Sequence, residues 1–462
     1  PLALTPNPPP GTANLDAAIA DLAESVADSW PTLPPGPGLD ILRRRPPRLS
    51  AARGLPQPDG SPDQFVRAIR TAIADVDRSY LAVQGPPGTG KTYVAARVIA
   101  DLVTTANWRI GVVAQSHAAI ENVLDALVKA GLDPDLIGKY APGRPGTSWQ
   151  RFERRDADTV AFAAERAERG YVIGGTAYDL TNPKRFARGQ LDLLVIDEAG
   201  QFSLANTLAV SVVAERLLLL GDPQQLAEVS KGIHPEPIDT SALGWLMAGQ
   251  DTLDPRFGYF LAATWRMHPD LAARVSMLSY AGSLTAQESV TTARRLAGVK
   301  PGVHVVQVAH HDNTVDSPEE AAAIAASILG LLGRDWLDPD EGEGIRPLRQ
   351  SDIRVVTPYN AQVHRLRTVL DAAGLEEVAA GTVDKFQGQE GVIVYLSMAA
   401  SARTDVSRGM SFLLQRNRLN VALSRAKWAA IVVCSPDLTD FTPASPHELL
   451  LLGAFLQLTE PM

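Results

Sequence analysis

One cysteine, Cys434, stands in 462 residues, so an internal disulfide and any cysteine-built metal cluster are excluded. It lies in the apolar run "AAIVVCS", where a thiol is expected to be buried and structural. Long apolar runs are missing too. "RLLLLG" and "ELLLLGAFLQL" suffice for a strand and a core helix, not for the roughly 18 residues that cross a bilayer. The start is proline-rich rather than basic and then apolar, so no leader is expected, and neither is a membrane partner; a cytoplasmic location follows. Positive charge is in deficit, 43 Lys and Arg against 52 Asp and Glu, a net of −9. That argues against a broadly basic nucleic-acid coat but leaves room for a local basic groove. No internal repeat at solenoid period is present.

What is present is an alternation. Residues 1–60 carry "PNPPPG", "PTLPPGPG" and "RRRPPR" with one helical stretch at 16–29, and read as a flank or linker. Thereafter ten short apolar runs alternate with helical patterns. They are "YLAVQ", "IGVVAQ", "YVIGG", "LLVIDE", "LLLLGD", "YFLAAT", "VHVVQV", "IRVVTP", "VIVYLS" and "AIVVCS". Continuously apolar strands separated by helices imply parallel sheets covered on both faces. Ten strands exceed one ordinary sheet, which predicts two α/β domains, 61–250 and 251–440, followed by a C-terminal helix at 441–462. One helix start is well marked: "SPEE" offers Ser317 as N-cap, Pro318 at the first position and Glu320 at the third.

Three motifs carry chemistry. "GPPGTGKT" (Gly85, Pro86, Pro87, Gly88, Thr89, Gly90, Lys91, Thr92) fits the phosphate-binding pattern G-x-x-x-x-G-K-[ST] in full. Its glycines let backbone N–H groups turn toward a phosphate, and the helix that follows adds its N-terminal dipole. Lys91 is placed to reach the β- and γ-phosphates of ATP, and Thr92 to ligate Mg²⁺. "LLVIDEAGQ" ends an apolar strand on Asp197, the expected Mg²⁺ partner, and Glu198, which can polarise an attacking water. "LLLLGDPQQL" sets Asp222 and Gln225 at another strand tip, where a glutamine could sense the γ-phosphate or simply close a turn. Phosphoryl transfer also needs cations, and Arg266 in "TWRMHP" and Arg425 in "RLNVALSRAKW" are the candidates. The pattern around Arg418, Arg425 and Lys427 equally admits a solvated face with structural ion pairs.

Taken in order, Gln64, "GPPGTGKT", "VVAQSHAAIENVL", "VIGGTA", "VIDEAGQ", "GDPQQL", "WRMHP", "VVTPYNAQ", "GTVDKFQGQE" and "RLNVALSRAK" resemble the superfamily 1 helicases. Within them they resemble the branch that holds the nonsense-mediated-decay RNA helicase and the eukaryotic replication helicase–nuclease. The resemblance implies two RecA-like P-loop domains with ATP between them and single-stranded nucleic acid across their top. It implies that Gln64 reads adenine, that Trp265 stacks on the base where the branch usually has tyrosine, and that Glu390 contacts the ribose. It makes Gln225, Arg266 and Arg425 sensors of the γ-phosphate, and it assigns Ser116, Thr176, Thr357 and Thr382 to the nucleic-acid backbone. An ordinary strand-end cap is the alternative for each of those four hydroxyls. The wording "RMHP", "DKFQGQE" and "LNVALSRAK" is that of the 5′→3′ branch.

The stretch between "QSHAAIENVL" and "VIDEAGQ" is short, so the extra subdomain of some relatives is absent or very small. The start, with "LDILRRRPPRL", is similar to bacterial fusions in which a RecB-like nuclease precedes the helicase, yet no Asp/Glu-x-Lys nuclease core is evident. A nuclease domain or subunit N-terminal to this chain is therefore an expected partner. The overall expectation is an ATP-dependent translocase on single-stranded nucleic acid, DNA favoured over RNA, acting in DNA repair or processing. An ATPase that remodels nucleoprotein without unwinding and a nucleotide-gated binding module are the competing readings.

Overall fold

A computed structural model describes residues 11–51, 53–141, 146–227, 234–386, 388–406 and 409–460. Most of "PNPPPG", and Gln387 of "DKFQGQE", lie outside the described residues. The chain divides into two units. The first takes in Pro1–Gly85, Lys91–Pro223 and Ala227–Phe260; the second takes in Leu261–Met462 with two short segments, Pro86–Gly90 and Gln224–Leu226.

The first unit is built on eight strands: β1 (Tyr80–Gln84), β2 (Arg109–Val113), β3 (Ile137–Tyr140), β4 (Gln150–Phe152), β5 (Tyr171–Gly175), β6 (Leu193–Ile196), β7 (Leu217–Gly221) and β8 (Gly258–Phe260). They form one sheet in the order β4-β3-β5-β2-β6-β7-β1-β8, parallel at every pairing. All residues of β1, β5, β6 and β7 are buried, which is why these segments read as unbroken apolar runs rather than alternating ones. The helix Lys91–Ala106 after β1 buries Val94, Val98, Ile99, Leu102 and Val103, the stripe that its 3.6-residue period lays along one side.

Two sequence expectations change here. The divide expected near residue 250 falls ten residues later, because β8 pairs with β1. A Cβ on Gly258 would lie 1.7 Å from the Ala82 carbonyl oxygen, so only glycine lets the chain join the sheet at that point. The run "YFLAAT" accordingly breaks into β8 and a separate two-residue strand. The second change concerns the flank. Helices Ala13–Ser29 and Pro37–Leu42 are part of the first unit, with Leu15, Ala18 and Ile41 in its core. Buried Asp40 accepts from Ser79 Oγ at 2.6 Å and pairs with Arg48 at 2.6 Å, and Trp245 Nε1 donates to the carbonyls of Ile41 and Leu42. Prolines start and punctuate these elements; they do not mark a loose linker here.

β3 and β4 had no clear signature. In "IGKY" the charge of Lys139 masks a strand, yet its side chain is only 2% exposed and its Nζ lies 3.0 Å from Glu121 Oε1, itself buried on the helix His117–Lys129. Glu121→Ala should destabilise the chain by about 3–5 kcal/mol in denaturant unfolding, since it takes the compensating carboxylate from a buried ammonium that keeps the neutral Tyr140 carbonyl at 3.3 Å. Adding Lys139→Met should recover most of that loss. A Glu121→Ala protein as stable as the parent would show that the pair carries no such energy.

The second unit contains β9 (Ala263–Thr264), β10 (Thr285–Ala286), β11 (Arg295–Leu296), β12 (Gly302–Gln307), β13 (Asp335–Leu337), β14 (Ile345–Pro347), β15 (Ile353–Thr357), β16 (Ala379–Thr382), β17 (Gly391–Ser397) and β18 (Ala426–Cys434). Five make a parallel sheet, β12-β18-β17-β15-β16; β9 and β10 pair separately, and β11-β13-β14 form a small antiparallel sheet. Cys434 ends β18 buried, and burial pushes its thiol up to about 12. Ser317 caps the helix Pro318–Leu331 by accepting from Glu320 N–H at 3.1 Å. The Glu320 carboxylate points elsewhere, to Ser397 Oγ, Ala399 N–H and His310 Nε2 in a fully buried polar cluster. The C-terminal helix runs Pro446–Thr459. Among the described residues no helix is long and apolar enough to cross a membrane.

Candidate nucleotide and nucleic-acid sites

Parallel α/β sheets bind ligands beyond the carboxyl ends of their strands. In the first unit those ends carry Gly85 after β1, Ser116 after β2, Thr176 after β5, Asp197 after β6 and Asp222 after β7. Backbone bonds stitch three of them together. Gly221 O accepts from Gly85 N–H at 2.9 Å, and Leu220 O accepts from Ala199 N–H at 2.7 Å. The approach is so close that a Cβ on Gly221 would lie 2.4 Å from Gly200 N, and one on Gly200 2.5 Å from the Asp222 carbonyl carbon. Glycine at both positions lets the "DEAG" turn lie on the "GDP" turn.

Within this edge Lys91 Nζ donates to the Gly85 carbonyl. Asp197 is buried, 8% exposed. Burial first, then the neighbouring Glu198 carboxylate, pushes it up to about 7, with Lys91 opposing. Glu198 itself sits at φ 55°, a left-handed backbone that a non-glycine residue adopts only under local constraint. A hard divalent cation fits these groups. A Thr92 hydroxyl and an Asp197 carboxylate are oxygen donors of the kind Mg²⁺ takes, and an added positive charge would relieve the crowded Asp197. Among the described residues no group of three or more His, Cys, Asp or Glu could hold a metal by itself; Mg²⁺ commonly keeps waters and takes phosphate oxygens beside one or two protein ligands.

The middle of the loop, Pro86–Gly90, belongs to the second unit by its contacts. Trp265 N–H donates to Gly88 O at 2.8 Å, and buried Thr264 Oγ1 donates to Pro87 O at 2.9 Å. Gly88 and Gly90 have φ of 76° and 81°; a Cβ at Gly88 would lie 2.6 Å from both Arg266 Cβ and Thr264 Oγ1. Thr89 Oγ1 donates to Pro86 O at 2.8 Å. Thr264 was not foreseen: a threonine inside an apolar run has no distinguishing pattern.

Trp265 is half exposed. Arg266 Nε donates to Glu390 Oε2 at 2.8 Å, and its Nη1 to Ser424 O at 3.0 Å. Glu390 also faces Lys427 Nζ at 3.6 Å. Burial opposes ionisation of Glu390, but Arg266 and Lys427 outweigh it and hold the carboxyl below its ordinary range. Arg425 is buried, with Nε donating to Val421 O at 3.0 Å and Nη2 to Gln225 Oε1 at 3.2 Å. Asn417 and Asn420 donate to the carbonyls of Gln225 and Gln224 at 2.6 and 2.7 Å. Gln64 opens the helix Gln64–Asp75, and its Oε1 accepts from Gly60 N–H at 2.8 Å.

The four hydroxyls fall into two pairs of neighbouring strand ends. Ser116 and Thr176 follow β2 and β5, where Val113 stands opposite Gly175; Thr357 and Thr382 are themselves opposite in β15 and β16. Ser116 caps its helix, accepting from Ala119 N–H at 3.1 Å, which leaves its hydroxyl hydrogen able to donate. Thr176 instead donates to Asp179 at 2.7 Å and could reach a phosphate only by leaving that bond. Thr357 is fully buried, its Oγ1 without a hydrogen-bond partner, and Thr382 is half-buried. Glu390 and Arg425 lie at the opposite edge of the second sheet, immediately before β17 and β18, where Gly391 N–H donates to Arg425 O.

AAA domain profiles match residues 61–239 and 241–437. A regulator of nonsense transcripts 1 homologue of Neurospora crassa is 25% identical over 449 residues, covering 84% of this chain and 38% of its own. The DNA replication ATP-dependent helicase/nuclease DNA2 of Gallus gallus is 26% identical over 387 residues, covering 80% and 36%. An arterivirus nonstructural protein 10 (helicase) solved with DNA aligns at 15% identity and TM-score 0.41, over 80% of this chain and 62% of that one. The chain thus spans well under half the length of the two curated relatives. Two α/β domains with a complete phosphate-binding loop define a P-loop NTPase. Within that class the chain belongs to the superfamily 1 helicases.

Proposed function

We propose that this chain hydrolyses ATP to move 5′→3′ along single-stranded nucleic acid, DNA in preference to RNA, and separates duplexes in DNA repair or processing. The observation that carries the reading is the single sheet edge that gathers Gly85, Lys91, Asp197 and Glu198, with backbone bonds fixing their turns. Lys91 holds the β- and γ-phosphates, Glu198 orients the attacking water and takes its proton, and Arg266 and Arg425 donate to the γ-phosphate as charge builds on it. Mg²⁺ bound by Thr92 and Asp197 would neutralise phosphate charge. Gln64, Trp265 and Glu390 hold the base and ribose. Ser116, Thr176 and Thr382 hold backbone phosphates, contacts that position a strand without reading its sequence, while Thr357, fully buried, supports the same strand end from behind. The choice of DNA is supported by the helicase/nuclease relative and by the likeness of the start to nuclease–helicase fusions; a nuclease domain or subunit N-terminal to this chain and a cytoplasmic setting belong to the same reading.

The expected result is unwinding of a duplex with a 5′ single-stranded overhang, and none with a 3′ overhang. Streptavidin should be displaced from a biotinylated 3′ end. Displacement without unwinding would favour the remodelling ATPase, and displacement from the 5′ end alone would refute the polarity while leaving the ATP site standing.

A further inference from the structure

The sequence gives no reason to single out Asp338. It opens the acidic stretch "DPDEGEG", which reads as a solvated turn. In the structure it is 1% exposed, the first residue after β13. Its carboxylate has two cationic neighbours. Lys427 Nζ donates to its Oδ2 at 3.0 Å, and Arg294 Nε lies 3.1 Å from its Oδ1, an ion pair whose N–H is not aligned for a hydrogen bond.

Each neighbour leads to residues placed above at the nucleotide. Arg294, only 3% exposed, donates from Nη1 to the Arg266 carbonyl and from Nη2 to the Trp265 carbonyl at 3.2 Å. Lys427 Nζ lies 3.6 Å from Glu390, whose other oxygen accepts from Arg266. The Lys427 carbonyl also accepts from His268 N–H at 2.9 Å, tying the "RMHP" turn to the start of β18. The surrounding acids brace the loop itself: Arg294 pairs with Asp340 at 3.1 Å, Lys427 with Glu341 at 3.3 Å, and Arg346 with Glu341 and Asp352 at 2.7 and 2.6 Å. Asp338 is thus a buried hub with spokes to Trp265, Arg266 and Glu390. Its two cations keep it ionised: burial pushes the carboxyl up, and Lys427 and Arg294 more than offset that.

We infer that Asp338 is a positioning residue for the nucleotide, setting the Trp265–Arg266 backbone through Arg294 and the Glu390 carboxylate through Lys427. The inference rests on the proposed ATP site. A hub of this kind acts through placement, so its loss should act on both ground-state and transition-state contacts. Base and ribose contacts determine KM, whereas an arginine on the γ-phosphate determines kcat.

The test is Asp338→Asn, which keeps shape and removes the charge, compared with the parent in steady-state ATP hydrolysis. KM for ATP should rise and kcat fall, each on the order of tenfold or more, because small misplacement at a reacting centre is costly. The preference for ATP over 3′-deoxy-ATP should shrink, since Glu390 loses its second cation's alignment. Combining Asp338→Asn with Glu390→Gln should give a KM effect well short of the product of the two single effects. Asp338→Glu should restore part of the loss. A merely structural aspartate would lower the melting temperature and leave KM, kcat and nucleotide preference of the folded protein unchanged, which overturns the inference. If Asp338→Asn does not fold, Lys427→Gln removes one spoke, and the same shift in KM and ribose preference must appear there or the inference falls. A parent without Lys91-dependent ATP hydrolysis refutes the proposed function instead; an active parent with an unaffected Asp338→Asn refutes only the hub.

Discussion

Lys91→Ala is expected to reduce ATP turnover to background, with and without single strands. Lys91 begins the helix after the glycine turn, and its Nζ is held by the Gly85 carbonyl, so the ammonium is fixed at the loop before a phosphate arrives. It is also the cation that opposes the upward push on Asp197. Alanine removes both the phosphate-binding charge and that counterweight from one buried edge. Glu198→Gln separates binding from chemistry. It keeps the side chain's size and the strained φ but removes the carboxylate that accepts a proton, so ATP should bind while hydrolysis nearly stops. Phosphate release measured against fluorescent-nucleotide binding distinguishes the two variants. Single-strand-stimulated turnover surviving in Lys91→Ala would remove the loop from the mechanism. Nucleotide binding lost in Glu198→Gln would show that Glu198 holds structure rather than water. A gated binding module, the competitor that needs no turnover, predicts negligible hydrolysis in the parent itself.

The parts of the fold that the sequence declares are those where burial and local pattern agree. β6 and β7 are apolar from end to end, and β1 as far as the buried Gln84, because both faces are covered, and each is followed by a turn whose glycines or acids are chemically specific. The hidden parts are those where tertiary partners override local pattern. β3 contains Lys139, which no periodicity rule places in a core; Glu121, eighteen positions away, makes it possible. β16 is "AAGT", too poor in large apolar residues to look like a strand, and its place beside β15 is what sets Thr382 opposite Thr357. The proline-rich start looked like a tether because composition cannot show that Asp40 and Ile41 are buried. Asp338 is the sharpest case. Its ionic partners Arg294, just before β11, and Lys427, in β18, lie 44 residues before it and 89 after it, so only the folded chain assembles the hub. Motifs report residues that touch a ligand. Asp338 and Arg294, which hold those residues from behind, lie in none of the motifs.

Arg425→Ala tests the other half of the phosphate chemistry and has a rival explanation built into the structure. Arg425 is 3% exposed, just before β18, and Gln225 Oε1 accepts from it at 3.2 Å. As a donor to the γ-phosphate it should matter in the transition state far more than in binding. Its loss should then cut turnover by about 10³–10⁵ while nucleotide affinity changes little. As a structural anchor it should act through its bonds to Gln225 and the Val421 carbonyl, and a loss of stability should accompany any loss of turnover. Arg425→Lys sharpens the distinction, because lysine keeps the charge but not the two-pronged donor geometry. Under the phosphate role it should recover a minor part of the turnover; under the anchor role, a shift in melting temperature should track any loss. Turnover within about twofold of the parent in Arg425→Ala, far outside the arginine-finger range, would retire Arg425 from catalysis and leave Arg266 as the arginine assigned to the γ-phosphate.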